Sequence, residues 1–119
     1  MNTISIFETS NGEIQVQLAQ QSLWLSQALM ADLFETSTDN ISLHLKNIYS
    51  EGELEEQSTT EEYSVVRQEG KRKVKRQLKH YNLDAIISVG YRIQSKTATR
   101  FRQWAIRLIM NMLTRESHT

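Results

Sequence analysis

The chain has 119 residues, with 14 Lys and Arg against 14 Asp and Glu, four glycines, no cysteine and no proline. That length suits one domain with a modest core. Lacking cysteine, the chain can form no disulfide framework, thiolate zinc site or catalytic thiol. No apolar run approaches the ~20 residues of a membrane span, and Met1 to Leu18 lacks the unbroken apolar segment of a signal peptide. The expectation is a cytoplasmic protein with no membrane contact, one domain over residues 1–113 and a polar tail over 114–119.

Ile4, Ile6, Ile14, Val16 and Leu18 alternate with polar residues on either side of Asn11-Gly12, which predicts an N-terminal β-hairpin turned at that pair. Ser26 then stands as a helix N-cap, with Leu25 and Met30 placed as a hydrophobic staple. Leu29, Met30, Leu33 and Phe34 form the apolar stripe of a helix over Gln27–Phe34. Glu35-Thr36-Ser37 interrupts the pattern. A second helix follows over about Thr38–Ser50, with Ile41, Leu45 and Ile48 on one face and Gly52 as its stop. The acidic segment Glu51–Glu62 has no periodicity and reads as a loop.

Tyr63–Gln68 and Arg72–Lys79 predict a second hairpin around Glu69-Gly70. On its return strand a period of two puts Lys71, Lys73, Lys75, Gln77 and Lys79 on one face, opposite Val74 and Leu78. Asn82 caps a short helix, Leu83–Val89, which Gly90 can end. The last helix, from about Lys96 to Leu113, is apolar nearly all round in its second half. Ile106, Ile109, Met110 and Leu113 on it are the candidate contact for a homodimer.

The neutral total hides a segregation. Glu51, Glu53, Glu55, Glu56, Glu61 and Glu62 occupy a stretch with no cation, and Arg67, Lys71, Arg72, Lys73, Lys75, Arg76 and Lys79 follow against Glu69 alone. Binding responds to such local fields rather than to net charge. A short helix, a three-residue turn, a longer helix and a cationic hairpin follow one another in the order of a winged helix-turn-helix. The expected class is therefore α+β, with an N-terminal hairpin, a basic wing and a long C-terminal helix. Ala31 supplies the small residue where the first helix must pass the second, and Ile41 the plug between them. Thr38, Asn40, Ser42, Lys46 and Asn47 on the second helix could reach base edges or phosphates. The wing residues Lys71, Lys73, Lys75 and Lys79 could hold phosphates. Glu35 sits where glycine is usual, Asp39 would repel phosphate, and Leu43 could touch a thymine methyl or a protein.

No constellation for catalysis emerges. His44, His80 and His118 share no helical i, i+4 spacing, the glycines form no phosphate-cradling pattern, and no metal or cofactor is expected. His44 reads as a partly buried packing residue, Trp24 and Trp104 as core, and Tyr81 and Tyr91 as core or hydroxyl-capping groups.

The stretches Trp24-Leu25-Ser26-Gln27, Met30-Ala31-Asp32-Leu33-Phe34, His44-Leu45-Lys46-Asn47-Ile48 and Glu51-Gly52-Glu53-Leu54, and above all the run Tyr81 to Arg92, with Phe101-Arg102 and Trp104-Ala105 after it, resemble the N-terminal domain of the virulence RhuM family. The resemblance covers nearly the whole chain. It implies a bacterial DNA-binding protein of the kind often encoded on mobile or pathogenicity islands. Family members carry Gly-Val in the turn and arginines along the second helix, where this chain has Glu35-Thr36 and Thr38 and Leu43. Many relatives continue into a C-terminal region, which leaves a short member, a truncated product or an isolated domain. The expected partner is double-stranded DNA, read by the helix at 38–50 and gripped by the wing at 71–79. The alternative is a protein-interaction module, or a subunit of a mobile-element or phage-conflict system, that uses the same fold on a protein partner.

Overall fold

The computed structural model describes residues 3–9, 12–20, 22–93 and 96–116, with side chains up to residue 111. Five strands and five helices make a mixed α+β fold among these residues: β1 (Thr3–Thr9), β2 (Gly12–Ala19), β3 (Ser22–Leu25), α1 (Gln27–Phe34), α2 (Thr38–Ser50), α3 (Glu56–Thr59), β4 (Thr60–Glu69), β5 (Arg72–Asn82), α4 (Leu83–Ile93) and α5 (Lys96–Glu116). The sheet is antiparallel, in the order β1-β2-β3-β5-β4. His118 lies outside the described residues, and so do the side chain of Leu113 and the tail beyond Glu116; α5 itself continues past Leu113 to Glu116.

The first hairpin forms as expected, but its register opposes Thr9 to Gly12 and Phe7 to Ile14. Gly12 therefore stands on β2 opposite Thr9, and Asn11 lies outside the described residues. Phe7 then shares the core face with Ile14, Val16 and Leu18, while Ile4 and Ile6 stand on the exposed face. The reason is long-range, since Phe7 packs edge-on to Phe101 at 5.3 Å and beside Trp104 at 5.2 Å, both on α5. β3 turns back from β2 with Gln20 in the left-handed region (φ 51°) and joins the two hairpins, pairing Leu25 with Tyr81.

Local capping sets the helices. Ser26 Oγ accepts the Leu29 N–H, and Ser37 Oγ accepts the Asn40 N–H. α1 closes through Glu35 at φ 55°, whose N–H and that of Thr36 return to Asp32 and Ala31. This is the Schellman arrangement, achieved with a residue whose Cβ disfavours it. α2 closes in the same way around Gly52 at φ 75°, with Glu53 N–H donating to Ile48 O at 3.0 Å. Two sequence expectations give way here. The acidic stretch Glu51–Glu62 is not a loop throughout, because α3 and the start of β4 lie within it. Gly90 does not end α4, which continues to Ile93. A Cβ at residue 90 would lie 3.1 Å from Ala98 Cβ and 3.3 Å from Phe34 Cζ, so glycine lets α4 close against α5 and α1.

α1, α4 and α5 lie against the sheet, and α2 packs on α1 and α4, one layer further out. Met30, Leu33, Ile41, Ile48, Ile86 and Phe101 fill the centre. α2 spends Ile41, Leu45 and Ile48 on its neighbours and leaves the opposite face to solvent. The succession α1, turn, α2, hairpin is compatible with a winged-helix arrangement.

Candidate nucleic-acid interface

The hairpin β4–β5 is the longest pairing in the sheet, running from Thr60↔Tyr81 to Glu69↔Arg72. Only its root is docked, since β3 reaches β5 at Tyr81 and Asn82 alone. The root is closed on both faces. Trp24 donates its indole N–H to Ala19 O at 2.9 Å and meets Tyr63 edge-on, and Tyr63 meets the buried His80. On the other face Tyr81 OH accepts from Gln27 Nε2 at 3.0 Å, and Tyr49 OH and Thr59 Oγ1 share a hydrogen bond of 2.9 Å. Burial keeps His80 neutral by pushing its pKa below the usual imidazole range, against the Leu78 carbonyl that faces Nδ1.

The register sorts the charge. Glu61 and Glu62 oppose His80 and Lys79 at the root, whereas Arg67, Lys71, Arg72, Lys73, Lys75 and Arg76 gather towards the tip with Glu69. Lys71 is not on the strand face assigned to it, because Gly70 (φ 63°) and Lys71 form the reversal itself and put that ammonium at the apex. Lys73, Lys75 and Lys79 share the face of Tyr81 and Leu25, the side on which the helices pack. Lys79 is paired with Glu56 of α3, which raises its pKa, and so is committed to the root. Arg76 donates through Nε and Nη2 to both oxygens of Glu69, at 3.1 and 2.9 Å, on the opposite face. That pairing occupies the one carboxylate near the tip and lowers its pKa. Lys71, Lys73 and Lys75 enter no ion pair with a described residue and lie exposed with Val66, Gln68 and Ser64 around them.

On α2 the exposed face carries Thr38, Asp39, Ser42, Leu43 and Lys46, with Leu43 54% exposed. Asn40 and Asn47 are half-buried. Asn40 Nδ2 donates to Thr36 Oγ1 at 2.9 Å, so this side chain braces the turn between the helices. The helix is fixed from behind by Glu51 and Glu53, which accept from Arg92 of α4 at 3.3 and 3.0 Å; Glu53 is held below the ordinary carboxylate range by that bond. Of the candidate contact on α5, Ile106 and Met110 are exposed, and Ile109 is half-buried against the core. No group of three His, Asp or Glu among the described residues could hold a metal ion. No helix among them is long and apolar enough to cross a membrane.

Sequence reasoning placed the lysine face but not its partition between free and paired cations. The signal available was the distance from the turn: acids and cations equidistant from the Gly70–Lys71 reversal end up opposite one another, so Glu61 and Glu62 had to meet residues 79–80 and not the tip.

The family model for the virulence protein RhuM family matches residues 58–117, half of the chain, from the end of α3 through β4, β5, α4 and α5. The chain belongs to the virulence protein RhuM family. The paired helices α1 and α2 lie ahead of the matched segment. No curated protein matches the chain, and no solved structure does.

Proposed function

We propose that this member of the RhuM family binds double-stranded DNA as a winged helix-turn-helix protein, with the apex and helix-side face of the β4–β5 hairpin on the phosphates and the exposed face of α2 towards the major groove. The observation that carries the proposal is a cluster of cations, Lys71, Lys73 and Lys75, without an ion pair among the described residues, at the tip of a hairpin whose nearby carboxylate, Glu69, is held by Arg76. A polyanion gains from such a cluster by releasing its counterions. α2 offers Ser42, Lys46 and Thr38 for hydrogen bonds or phosphates, with Leu43 between them as an apolar group that fits a thymine methyl. Asp39 at its start and the absence of an arginine along it favour backbone-dominated binding over strong base reading. The chemistry requires no cofactor or metal and no enzymatic step.

The test is a titration of mixed-sequence duplex, single-stranded DNA and duplex RNA against the protein at low and moderate salt. Salt-sensitive binding to duplex DNA that weakens severely in the variant carrying Lys71→Glu, Lys73→Glu and Lys75→Glu supports the proposal; duplex affinity that the variant retains overturns it. Exposure of Ile106 (49%) and Met110 (59%) one turn apart on α5 favours a second reading, self-association through that helix. Gel filtration of the protein against an Ile106→Glu, Met110→Glu variant checks it, with a shift to smaller size expected.

A further inference from the structure

We infer that the cavity between α4 and α5 is a binding site for a small apolar carboxylic acid. The cavity measures about 330 Å³, within the size of small-molecule sites. Its inner wall is hydrocarbon, built from Phe34 at the end of α1, Ile86 and Ile87 on α4 and Phe101 on α5. Gly90 and Ala98 pinch the helices together beside it, which leaves the bulkier neighbours splayed around a hollow.

The mouth has the opposite character. Lys96 and Arg102 stand there with Thr99 and Tyr91. Arg102 Nη1 donates to Tyr91 OH at 2.9 Å, and the guanidinium lies 5.7 Å from the centre of the Tyr91 ring, which holds an aromatic that is 65% exposed across the opening. Neither Lys96 nor Arg102 is ion-paired with a described carboxylate, in contrast to Arg92 two residues before the α4–α5 junction, which has two. A phenol oxygen takes one of the five N–H donors of an arginine, and the planar fork matches a carboxylate. Two cations with no described carboxylate beside them, over an apolar hollow, select a ligand with a hydrocarbon body and one anionic head. The carboxylate would lie on Arg102 with Lys96 beside it, and the chain would lie against Phe34, Ile86 and Phe101. The inference stands apart from DNA contact, because the wing takes no part in the cavity.

Equilibrium dialysis of the full chain against radiolabelled decanoate, and separately against decanol, tests it. Saturable decanoate binding at one site per chain is expected, with decanol about tenfold weaker or worse, the loss of a charge-assisted hydrogen bond. Lys96→Gln with Arg102→Gln should weaken decanoate about tenfold and leave decanol unchanged. Lys96→Gln alone, which leaves the Arg102–Tyr91 pair in place, should cost about threefold. Thr99→Trp, at an exposed position on the mouth, should reduce both ligands by obstruction. Absence of saturable decanoate binding, equal affinity for the alcohol, or wild-type decanoate affinity in the double variant with its melting temperature intact would each overturn the inference.

Discussion

The tip and the root of the β4–β5 hairpin share two strands and one register, yet they serve opposite ends. At the root Lys79 is held by Glu56 and the rings of Trp24, Tyr63, His80 and Tyr81 are packed. At the tip the cations are exposed, and one carboxylate is consumed by Arg76. The difference teaches that an antiparallel fold of an acidic run onto a basic run need not neutralise either. Pairing counts outward from the turn, so the acids that precede the strand meet only its last residues. Such a hairpin can be anchored at one end and electrostatically available at the other.

The largest effect that would sharpen this comparison comes from the tip. Lys71→Glu, Lys73→Glu and Lys75→Glu together should lower duplex affinity at low salt on the order of 10³-fold. The melting temperature should stay within about 2 °C, because exposed substitutions rarely move stability by more than about 0.5 kcal/mol. A large drop in melting temperature would break the separation of the two ends.

The root should instead be where acid acts. Burial holds His80 neutral in the fold by lowering its pKa below that of the unfolded chain, so on acidification the unfolded chain takes up the proton first. Stability should therefore fall on acidification, by at most about 1.4 kcal/mol per pH unit from this group. His80→Phe, which keeps the ring contact with Tyr63, should flatten that slope in denaturant titrations between pH 7 and 5. A slope that the variant preserves would assign it to other groups.

Glu35→Gly probes a third place, the turn between α1 and α2. Relief of the left-handed backbone strain, partly offset by the greater freedom of an unfolded glycine, should stabilise the protein by about 0.5–1 kcal/mol. Smallest of all is Lys79→Met. Removing an ion pair whose partners are 44% and 51% exposed should change stability by about 0.5 kcal/mol or less. It should leave duplex affinity nearly unchanged, and a loss as large as that of the tip variant would show that Lys79 belongs to the binding surface after all.

Much of the architecture was legible because its causes are local. The serine at 26, the apolar stripes of α1 and α2, and the alternation about Gly70 act within a few residues. β3 was not legible: Gln20 adopts the left-handed turn conformation without the Gly or Asn that advertises it, and one of its partner strands lies more than fifty residues away. The exposure of Ile4 and Ile6 was hidden for the same reason, since Phe7 owes its inward place to α5. Gly90 reads as a helix stop in any local window and becomes a packing glycine only once Ala98 and Phe34 are brought to it. In the candidate interface the lysine row was visible as a period of two, but the withdrawal of Lys79 and Arg76 into ion pairs depended on where Glu56 and Glu69 came to rest.

The salt dependence of duplex binding bears most directly on the claim that free cations at the tip make the contact. With about five phosphates neutralised, log K should fall with log salt at a slope near −4.5, and the triple lysine variant should reduce that slope to about −1.8, the loss of three phosphate contacts. An unchanged slope in the variant, or wild-type binding indifferent to salt, would contradict the account.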